Sequence, residues 1–185
     1  MDMFHEEVVI KKNPSAQNAL YMLSLVLLVL AGAYALFMFN VLIMVISSQG
    51  FSSALIVDIV FVLLAAAAAV VLFLYRDRIK MEYEYTFTNG IMDFAQVYNN
   101  KKRKNLGSMN IRNVEACGLV SSGAFKRFNT MPGVKMTNWF LNRDAELFYF
   151  YFVKDTAKNI IVIEPSSTLV DMIKRTVGSG KYQVN

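Results

Sequence analysis

Two long apolar runs decide the fold of this chain: ALYMLSLVLLVLAGAYALFMFNVLIMVI (Ala19–Ile46) and ALIVDIVFVLLAAAAAVVLFLY (Ala54–Tyr75). A helix of about 20 apolar residues crosses the hydrocarbon core of a bilayer, and each run reaches that length. A core helix of a soluble protein would show a polar face at every third or fourth position, and neither run does. The two runs therefore predict a transmembrane helical hairpin within residues 19–80.

The charges that flank these runs predict how the hairpin is oriented. Lys11 and Lys12 precede the first run, three further cations lie within residues 76–80, and residues 47–53 between the runs carry no charge. Because positive residues favour the cytoplasmic side, both termini are expected in the cytoplasm. The expected location is the cell membrane, crossed twice.

The N-terminal residues 1–18 are mostly polar. On a helix, Phe4, Val8 and Val9 would share one side, which predicts a short amphipathic helix lying on the membrane surface or docked on the C-terminal domain. The alternative is a frayed cytoplasmic tail. In either case Pro14 is expected to break any helix before the first span.

Two polar residues interrupt the spans, Asn40 in the first and Asp58 in the second. Both lie within two turns of the connecting loop, so an antiparallel hairpin would bring them to a similar depth. A hydrogen bond between their side chains is predicted, and a carboxylate inside a membrane is a functional candidate. Alternatively, Asp58 reaches headgroups or water at the nearby interface.

From Met81 onward the hydrophobic period changes to two. Residues 82–88 alternate between polar and aromatic side chains, and Asn89-Gly90 follows them. This dipeptide predicts a type I′ turn, because both residues tolerate a positive φ. The register that the turn sets pairs Phe87 with Met92 on the face of a predicted core.

Further patterns divide the rest of the chain into a domain at residues 81–178 and a flexible tail at 179–185. Residues 99–105 are predicted to form a cationic turn, and residues 145–153 an aromatic strand that is either central or covered by a helix. Pro165-Ser166-Ser167 opens a helix that Gly178 ends. The remaining predicted strands are about 91–98, 104–110, 114–120 and 160–163. The order is thus six or seven short antiparallel strands followed by one amphipathic helix.

This layout resembles the pleckstrin-homology-like (PH-like) fold, and the whole chain resembles bacterial membrane proteins with two N-terminal spans and a cytoplasmic PH-like domain. The resemblance is carried by the hairpin Tyr83–Tyr98, by Ile111-Arg112-Asn113-Val114, and by Ile160–Glu164 with the helix after Pro165. It implies an α+β membrane protein in which a PH-like antiparallel β-sandwich or barrel, capped by a C-terminal helix, follows the hairpin. It also implies binding and scaffolding at membranes.

The same resemblance bears on lipid recognition. In eukaryotic PH domains, the cations that bind phosphoinositides cluster around the loop between the first two strands. Here that loop is predicted to be Asn89-Gly90, which has no room for a phosphate cradle. Recognition of an inositide headgroup is therefore not expected.

The formal charge of +5 lies in the C-terminal part of the chain, which suits an anionic lipid surface and does not require a nucleic-acid partner. Two candidate contact regions for a membrane or a partner stand out, a basic run and a mixed basic and aromatic segment. Their residues are Lys101, Lys102, Arg103 and Lys104, then Lys126, Arg127, Trp139 and Phe140. The alternatives are a solvated turn for the first, and core residues on an unrecognised strand for Trp139 and Phe140.

The chain offers little material for catalysis. Cys117 and His5 are its only cysteine and histidine, so no catalytic, cofactor-binding or metal-binding residue is predicted. Cys117 is expected to be a small buried hydrophobe. The expected function is a non-enzymatic, membrane-tethered PH-like module that binds a protein partner, another copy of itself or the anionic cytoplasmic leaflet. The alternative is an accessory subunit of a membrane transporter or channel complex, with Asn40 and Asp58 at a helix contact.

Overall fold

The computed structural model describes residues 3–184, so the predictions for Met1, Asp2 and Asn185 lie outside the described residues. The chain divides into two compact units. Residues 13–80 form a helical unit, and the residues up to Lys12 together with those from Met81 onward form a β unit. The helical segment is therefore inserted into the β unit in sequence.

The helical unit contains two long helices, α1 (Ser15–Gln49) and α2 (Leu55–Tyr75), followed by a 3₁₀ turn at Arg76–Ile79. Gly50 ends α1 with a φ of 77°, a conformation that glycine adopts without strain. The two helices pack against each other, and both are long and apolar enough to cross a membrane. The prediction of two helices of membrane-spanning length is confirmed.

Small residues contribute to the contact between α1 and α2. Ala35, from the first run, is buried together with Ser24 and Leu42, and Val62 is buried on α2. Most other large apolar side chains of both helices are exposed within the chain, among them Leu36 at 69%. The contact between α1 and α2 therefore buries only a narrow face of each helix.

The first sheet of the β unit, sheet A, has four strands in the order β1-β2-β3-β4, and neighbouring strands are antiparallel. The strands are β1 (Phe4–Val9), β2 (Met81–Thr88), β3 (Ile91–Tyr98) and β4 (Lys102–Asn110).

The sequence predicted a short helix or a frayed tail at the N-terminus. This prediction is wrong for residues 4–9, which form strand β1. Phe4 pairs with Thr88 and Val9 with Tyr83, so the backbone hydrogen bonds come from a strand more than 70 residues later. The alternation of a strand separates the apolar residues that a helix would group: Val9 is buried, and Val8 is exposed.

The predicted hairpin β2–β3 is confirmed in its register. Phe87 faces Met92, and Asn89 and Gly90 have φ values of 52° and 95°. The turn nevertheless connects the second and third strands, because β1 precedes them. The expectation that Asn89-Gly90 forms the first loop of the sheet is therefore wrong, and that place belongs to residues 10–80, which contain both long helices.

The basic run was predicted to form a turn, but most of it belongs to strand β4. Asn99 and Asn100, both with φ near 50°, make the turn, and β4 begins at Lys102. Farther along β4 a bulge leaves Leu106 without an opposite residue, because Ala95 faces Asn105 and Phe94 faces Gly107. Three of the four cations are therefore strand residues.

Within residues 3–184, the second sheet, sheet B, has five strands in the order β6-β8-β7-β5-β9. They are β5 (Ala116–Leu119), β6 (Val134–Trp139), β7 (Phe148–Lys154), β8 (Ala157–Ile163) and β9 (Tyr182–Gln183). Because β6 runs parallel to β8 and β9 parallel to β5, the sheet is mixed and not antiparallel as predicted. The prediction of a flexible tail is also wrong for Tyr182–Gln183, which form β9 and pair with Cys117 and Gly118.

Strand β7 lies in the middle of sheet B and is buried on both faces. Phe148 and Phe150 belong to the core between the sheets, together with Tyr85 of β2. Tyr149 and Tyr151 lie in a second cluster under α3 (Gly123–Asn129), a helix that the sequence did not predict. This arrangement explains a strand that is aromatic on both sides.

Helix α4 (Ser167–Thr176) closes one end of the core, as predicted. The Ser166 side chain accepts a hydrogen bond from the Leu169 backbone N–H at 3.2 Å, which caps the helix. Leu169 and Ile173 are fully buried. A β-carbon on Gly90 would lie 3.0 Å from Thr176 Cγ2, so α4 ends against the β2–β3 turn.

Candidate functional site

One end of sheet A combines the two covalent connections to the helical unit with the cationic β3–β4 hairpin. Val9 faces Tyr83 and Met81 faces Tyr98, so β1 ends, β2 begins and β3 ends at the same end of the sheet. Lys102 faces Tyr98 on the next strand. We call this the connection end; the Asn89-Gly90 turn, against which α4 ends, lies at the opposite end.

The structure divides the basic run between the two faces of β4. Arg103 forms an ion pair with Glu84, with 2.7 Å between Nε and Oε2. Lys102 and Lys104 alternate with it, so they share the other face. Both lysines are exposed, which leaves their ammonium groups accessible for an anionic surface.

Polar side chains lie next to these lysines at the connection end. Lys104 faces Gln96, whose Oε1 accepts a hydrogen bond from the Tyr98 hydroxyl at 2.6 Å. The Gln96 amide in turn lies 3.5 Å from the Tyr83 hydroxyl. Burial, followed by the neighbouring Tyr98, raises the pKa of Tyr83, so this hydroxyl keeps its proton at neutral pH. The connection end thus presents ammonium and hydroxyl donors together.

Asn142 holds the chain where it leaves β1 for the helical unit. Its side chain is almost fully buried; its Nδ2 donates to the Ile10 carbonyl at 2.9 Å, and its Oδ1 accepts from the Lys12 N–H at 2.9 Å. The Glu164 carboxylate fixes this amide by accepting from Nδ2 at 2.7 Å. Sequence reasoning missed Asn142, because an isolated asparagine in a loop gives no signal.

Glu7 makes a second attachment, between β1 and the beginning of α4. Its carboxylate accepts hydrogen bonds from the Ser166 backbone N–H at 3.0 and 3.2 Å and lies 3.1 Å from His5 Nε2. A carboxylate next to a helix N-terminus is favourable for both hydrogen bonding and the helix dipole. Glu7 therefore attaches the middle of β1 to the residue that precedes α4.

The aromatic candidates Trp139 and Phe140 are half-buried residues of the fold. Trp139 ends β6, and its ring lies 4.8 Å from that of Phe94. Its carbonyl accepts a hydrogen bond from the Tyr85 hydroxyl. Phe140 packs against the second cluster under α3. The alternative interpretation, core residues on an unrecognised strand, describes Trp139, whereas Phe140 directly follows β6.

The cations Lys126 and Arg127 lie on α3, where both are exposed. The Arg127 guanidinium lies 4.9 Å from the centre of the Phe128 ring. Helix α3 covers sheet B, whereas the basic run belongs to β4 of sheet A. The structure therefore does not unite the two predicted contact regions in one patch.

In the helical unit, Asn40 and Asp58 do not form the hydrogen bond that the sequence predicted. The Asn40 amide donates to the Leu36 carbonyl of its own helix at 2.7 Å. Asp58 lies in the first turn of α2, where a carboxylate is favourable near the helix N-terminus. Within residues 3–184, Asp58 makes neither a hydrogen bond nor an ion pair.

Cys117 is fully buried in the middle of β5. Burial raises the pKa of its thiol to about 12, with a smaller opposing effect of Lys181. Only a thiolate is a strong nucleophile, so this thiol is unreactive at neutral pH. Its role is packing, as predicted.

Comparison with known proteins adds one match. The model of the family described as "Bacterial PH-like domain (DUF6106)" covers residues 1–182. No curated protein matches the chain, and no solved structure does. The match includes β1, both long helices and the two sheets as far as Tyr182, the first residue of β9. The chain belongs to this family of bacterial PH-like domains.

Proposed function

We propose that this protein is a non-enzymatic module, anchored in the cell membrane by α1 and α2, that binds the anionic cytoplasmic leaflet through its cationic β3–β4 hairpin. The observation that carries the proposal is the connection end of sheet A, where Lys102 lies beside the strand ends that lead to both helices. A PH-like family is consistent with a module that binds and does not catalyse.

The surface of the helical unit supports the membrane anchor. Large apolar side chains remain exposed along both helices, and each square ångström of such surface costs about 25 cal/mol in water. At the end of α2, the guanidinium of Arg78 lies 4.5 Å from the Tyr75 ring centre, and Lys80 Nζ lies 4.7 Å from that of Tyr21. Aromatic and cationic residues are typical of a membrane–water interface.

The pairing of β1 with β2 supports the proposed topology. The two strands flank the helical segment, and they can pair only when Lys12 and Met81 lie on the same side of a bilayer. Two spans satisfy that condition, and the flanking cations favour the cytoplasmic side. We therefore propose that both termini are cytoplasmic.

Chain length keeps the connection end close to its anchor. Six residues, Arg76–Met81, lead from the end of α2 to the start of β2, and they reach at most about 20 Å when fully extended. A lysine near an anionic leaflet contributes about 1 kcal/mol. Lys102 and Lys104 would add this attraction to a tether that already supplies a high effective concentration.

A second candidate function is an accessory subunit of a transporter or channel complex. One observation favours it: the Asp58 carboxylate has no hydrogen-bonding partner in the described part of the chain, although it lies on an apolar helix. A partner helix could supply a donor. The position of Asp58 in the first turn of α2 offers a simpler explanation, so we place this function second.

The leaflet proposal is tested with the full-length protein in nanodiscs of phosphatidylcholine alone or mixed with phosphatidylglycerol. Amide hydrogen exchange of residues 99–104 is measured at low and high salt. We expect slower exchange in the anionic discs at low salt, by about fivefold for each contributing cation, since each contributes about 1 kcal/mol. High salt should remove the difference.

The variant Lys102→Gln/Lys104→Gln should abolish this protection while leaving the Arg103–Glu84 pair intact. The matched control is Lys126→Gln/Arg127→Gln, which removes the same charge from α3. The proposal fails if residues 99–104 exchange equally in neutral and anionic discs, or if both double variants lose protection to the same extent.

A further inference from the structure

The edges of the two sheets differ in how well they are protected. In the described part of the chain, sheet A ends at β1 and β4, and sheet B ends at β6 and β9. Strand β4 carries three consecutive cations and a bulge, β1 carries two glutamates, and β9 has only two residues. Charges, bulges and short length are the devices by which proteins prevent pairing of edge strands.

Strand β6 lacks most of these devices. Its six residues, Val134–Trp139, pair with β8 in a continuous register, without a bulge or an internal proline. Lys135 is its only charged residue, and Met136 is 45% exposed. Within residues 3–184 no strand pairs with its other edge. Such an edge presents a row of unpaired backbone donors and acceptors that a further strand can satisfy.

We propose that β6 pairs antiparallel with β6 of a second copy of this chain, with Met136 opposite Met136. A two-fold axis perpendicular to the sheet keeps each side chain on its own face, so only residues of equal parity can face each other. A pairing centred on Lys135 would oppose two cations. A pairing centred on Met136 places Lys135 opposite Thr137 and covers the exposed methionine.

This register also agrees with the rest of β6. It places Val134 opposite Asn138, so all residues from 134 to 138 are paired without two like charges facing each other. The Trp139 carbonyl, which already accepts from Tyr85, lies outside the paired stretch. Two five-stranded sheets would join into one sheet of ten strands. About Met136, β6 opposes its own reversed sequence without a pair of like charges, and this self-complementarity favours a second copy as the occupant.

The pairing is tested by cysteine crosslinking of the full-length protein in its membrane. Met136→Cys places two thiols opposite each other, and a short bismaleimide should convert the protein to a band of twice the mass. The matched control is Ile91→Cys on β3, a residue that is also 45% exposed. The native Cys117 is buried, so the unsubstituted protein should give no such band.

Charge exchange at the same position gives a second test that does not depend on a probe. Met136→Lys and Met136→Glu each oppose two like charges and should shift the purified protein to monomer, measured by light scattering in detergent. Because Met136 faces itself, mixing the two variants should restore a heterodimer through an opposite-charge pair. Restoration also excludes misfolding as the cause of the loss.

Three results would overturn the proposal. One is the failure of Met136→Cys to crosslink more than Ile91→Cys. Another is a mixture of the Lys and Glu variants that remains monomeric while the unsubstituted protein is dimeric. An unsubstituted protein that is monomeric in both membrane and detergent would overturn it as well.

Discussion

Asn142 donates a hydrogen bond from its side chain to the carbonyl oxygen of Ile10, at 2.9 Å and across 132 residues of sequence. The same amide accepts from the Lys12 N–H and donates to Glu164. Asn142 therefore attaches the exit of β1 to the end of β8. This one buried side chain supports the segment through which the helical unit joins the β unit.

Replacement of Asn142 by alanine should destabilise the β unit. The change removes two hydrogen bonds to the chain after β1 and leaves buried polar groups without their partner, which costs roughly 1–3 kcal/mol. The single tryptophan, Trp139, packs against Phe94 and reports unfolding by fluorescence. We expect Tm to fall by about 4–8 °C for each kcal/mol. Asn113→Ala, at an exposed position, is the control and should leave Tm unchanged.

The discontinuous β unit leads to a prediction about its minimal folded form. A chain that begins at Met81 lacks β1, so it exposes the edge of β2 and should fail to give a cooperative thermal transition. A chain that runs from Met1 to Ile10, then Asn-Gly, then Glu82 to Asn185 should give one. Val9 faces Tyr83, so a two-residue turn spans the gap between the strands. Equal cooperativity of both chains, measured by circular dichroism, would contradict the role of β1.

Alkaline pH should destabilise the β unit. Burial raises the pKa of Cys117 to about 12 and that of Tyr149 to about 12, whereas in the unfolded chain these groups lose their protons near 9.0 and 10.0. Below pH 9 the folded and unfolded states both keep the protons of Cys117 and Tyr149. The free energy of unfolding is therefore not reduced by these two groups in that range. Above pH 9 the unfolded state binds fewer protons, and stability falls until about pH 12.

The measurement is Tm by Trp139 fluorescence between pH 8 and pH 11. Each such group lowers the free energy of unfolding by at most about 1.4 kcal/mol per pH unit. Cys117→Ala should make the decline between pH 9 and pH 10 less steep, and the comparison of slopes removes the constant effect of lost packing. A slope that is the same in both proteins would show that Cys117 keeps an ordinary pKa.

Substitution of Asp58 distinguishes the two proposed functions. For a membrane anchor, Asp58→Asn should leave the amount of protein in the membrane and its crosslinking pattern unchanged, since the amide retains a polar group in the first turn of α2. Asn40→Leu serves as a matched substitution on α1. Loss of a co-purifying membrane partner only in the Asp58 variant would favour the accessory-subunit function.

Local patterns predicted the parts of this fold that local interactions build. The Asn89-Gly90 turn set the register of β2 and β3, and Ser166 and Gly178 bounded α4 within one or two residues. The apolar run of residues 54–75 predicted α2 to within one residue, whereas α1 extends beyond its run at both ends. In these elements the side chains that decide the structure lie next to each other in sequence.

The missed elements depend on distant partners. Only Val9 of β1 is buried, so its pattern is too weak to identify a strand whose partner β2 follows 72 residues later. Strand β9 forms only because Cys117 and Gly118 offer it an edge. The sequence predicted the basic run only as a turn, since its position beside the two connections depends on the pairing of β1 with β2.

The insertion of α1 and α2 between β1 and β2 also governs the order of events during synthesis. Strand β1 leaves the ribosome first, and its partner follows only after both helices have been made. In the proposed topology, a chain in which only one helix entered the bilayer would leave β1 and β2 on opposite sides, and sheet A would lack its first strand. Such a chain would therefore expose the edge of β2 to quality-control proteases.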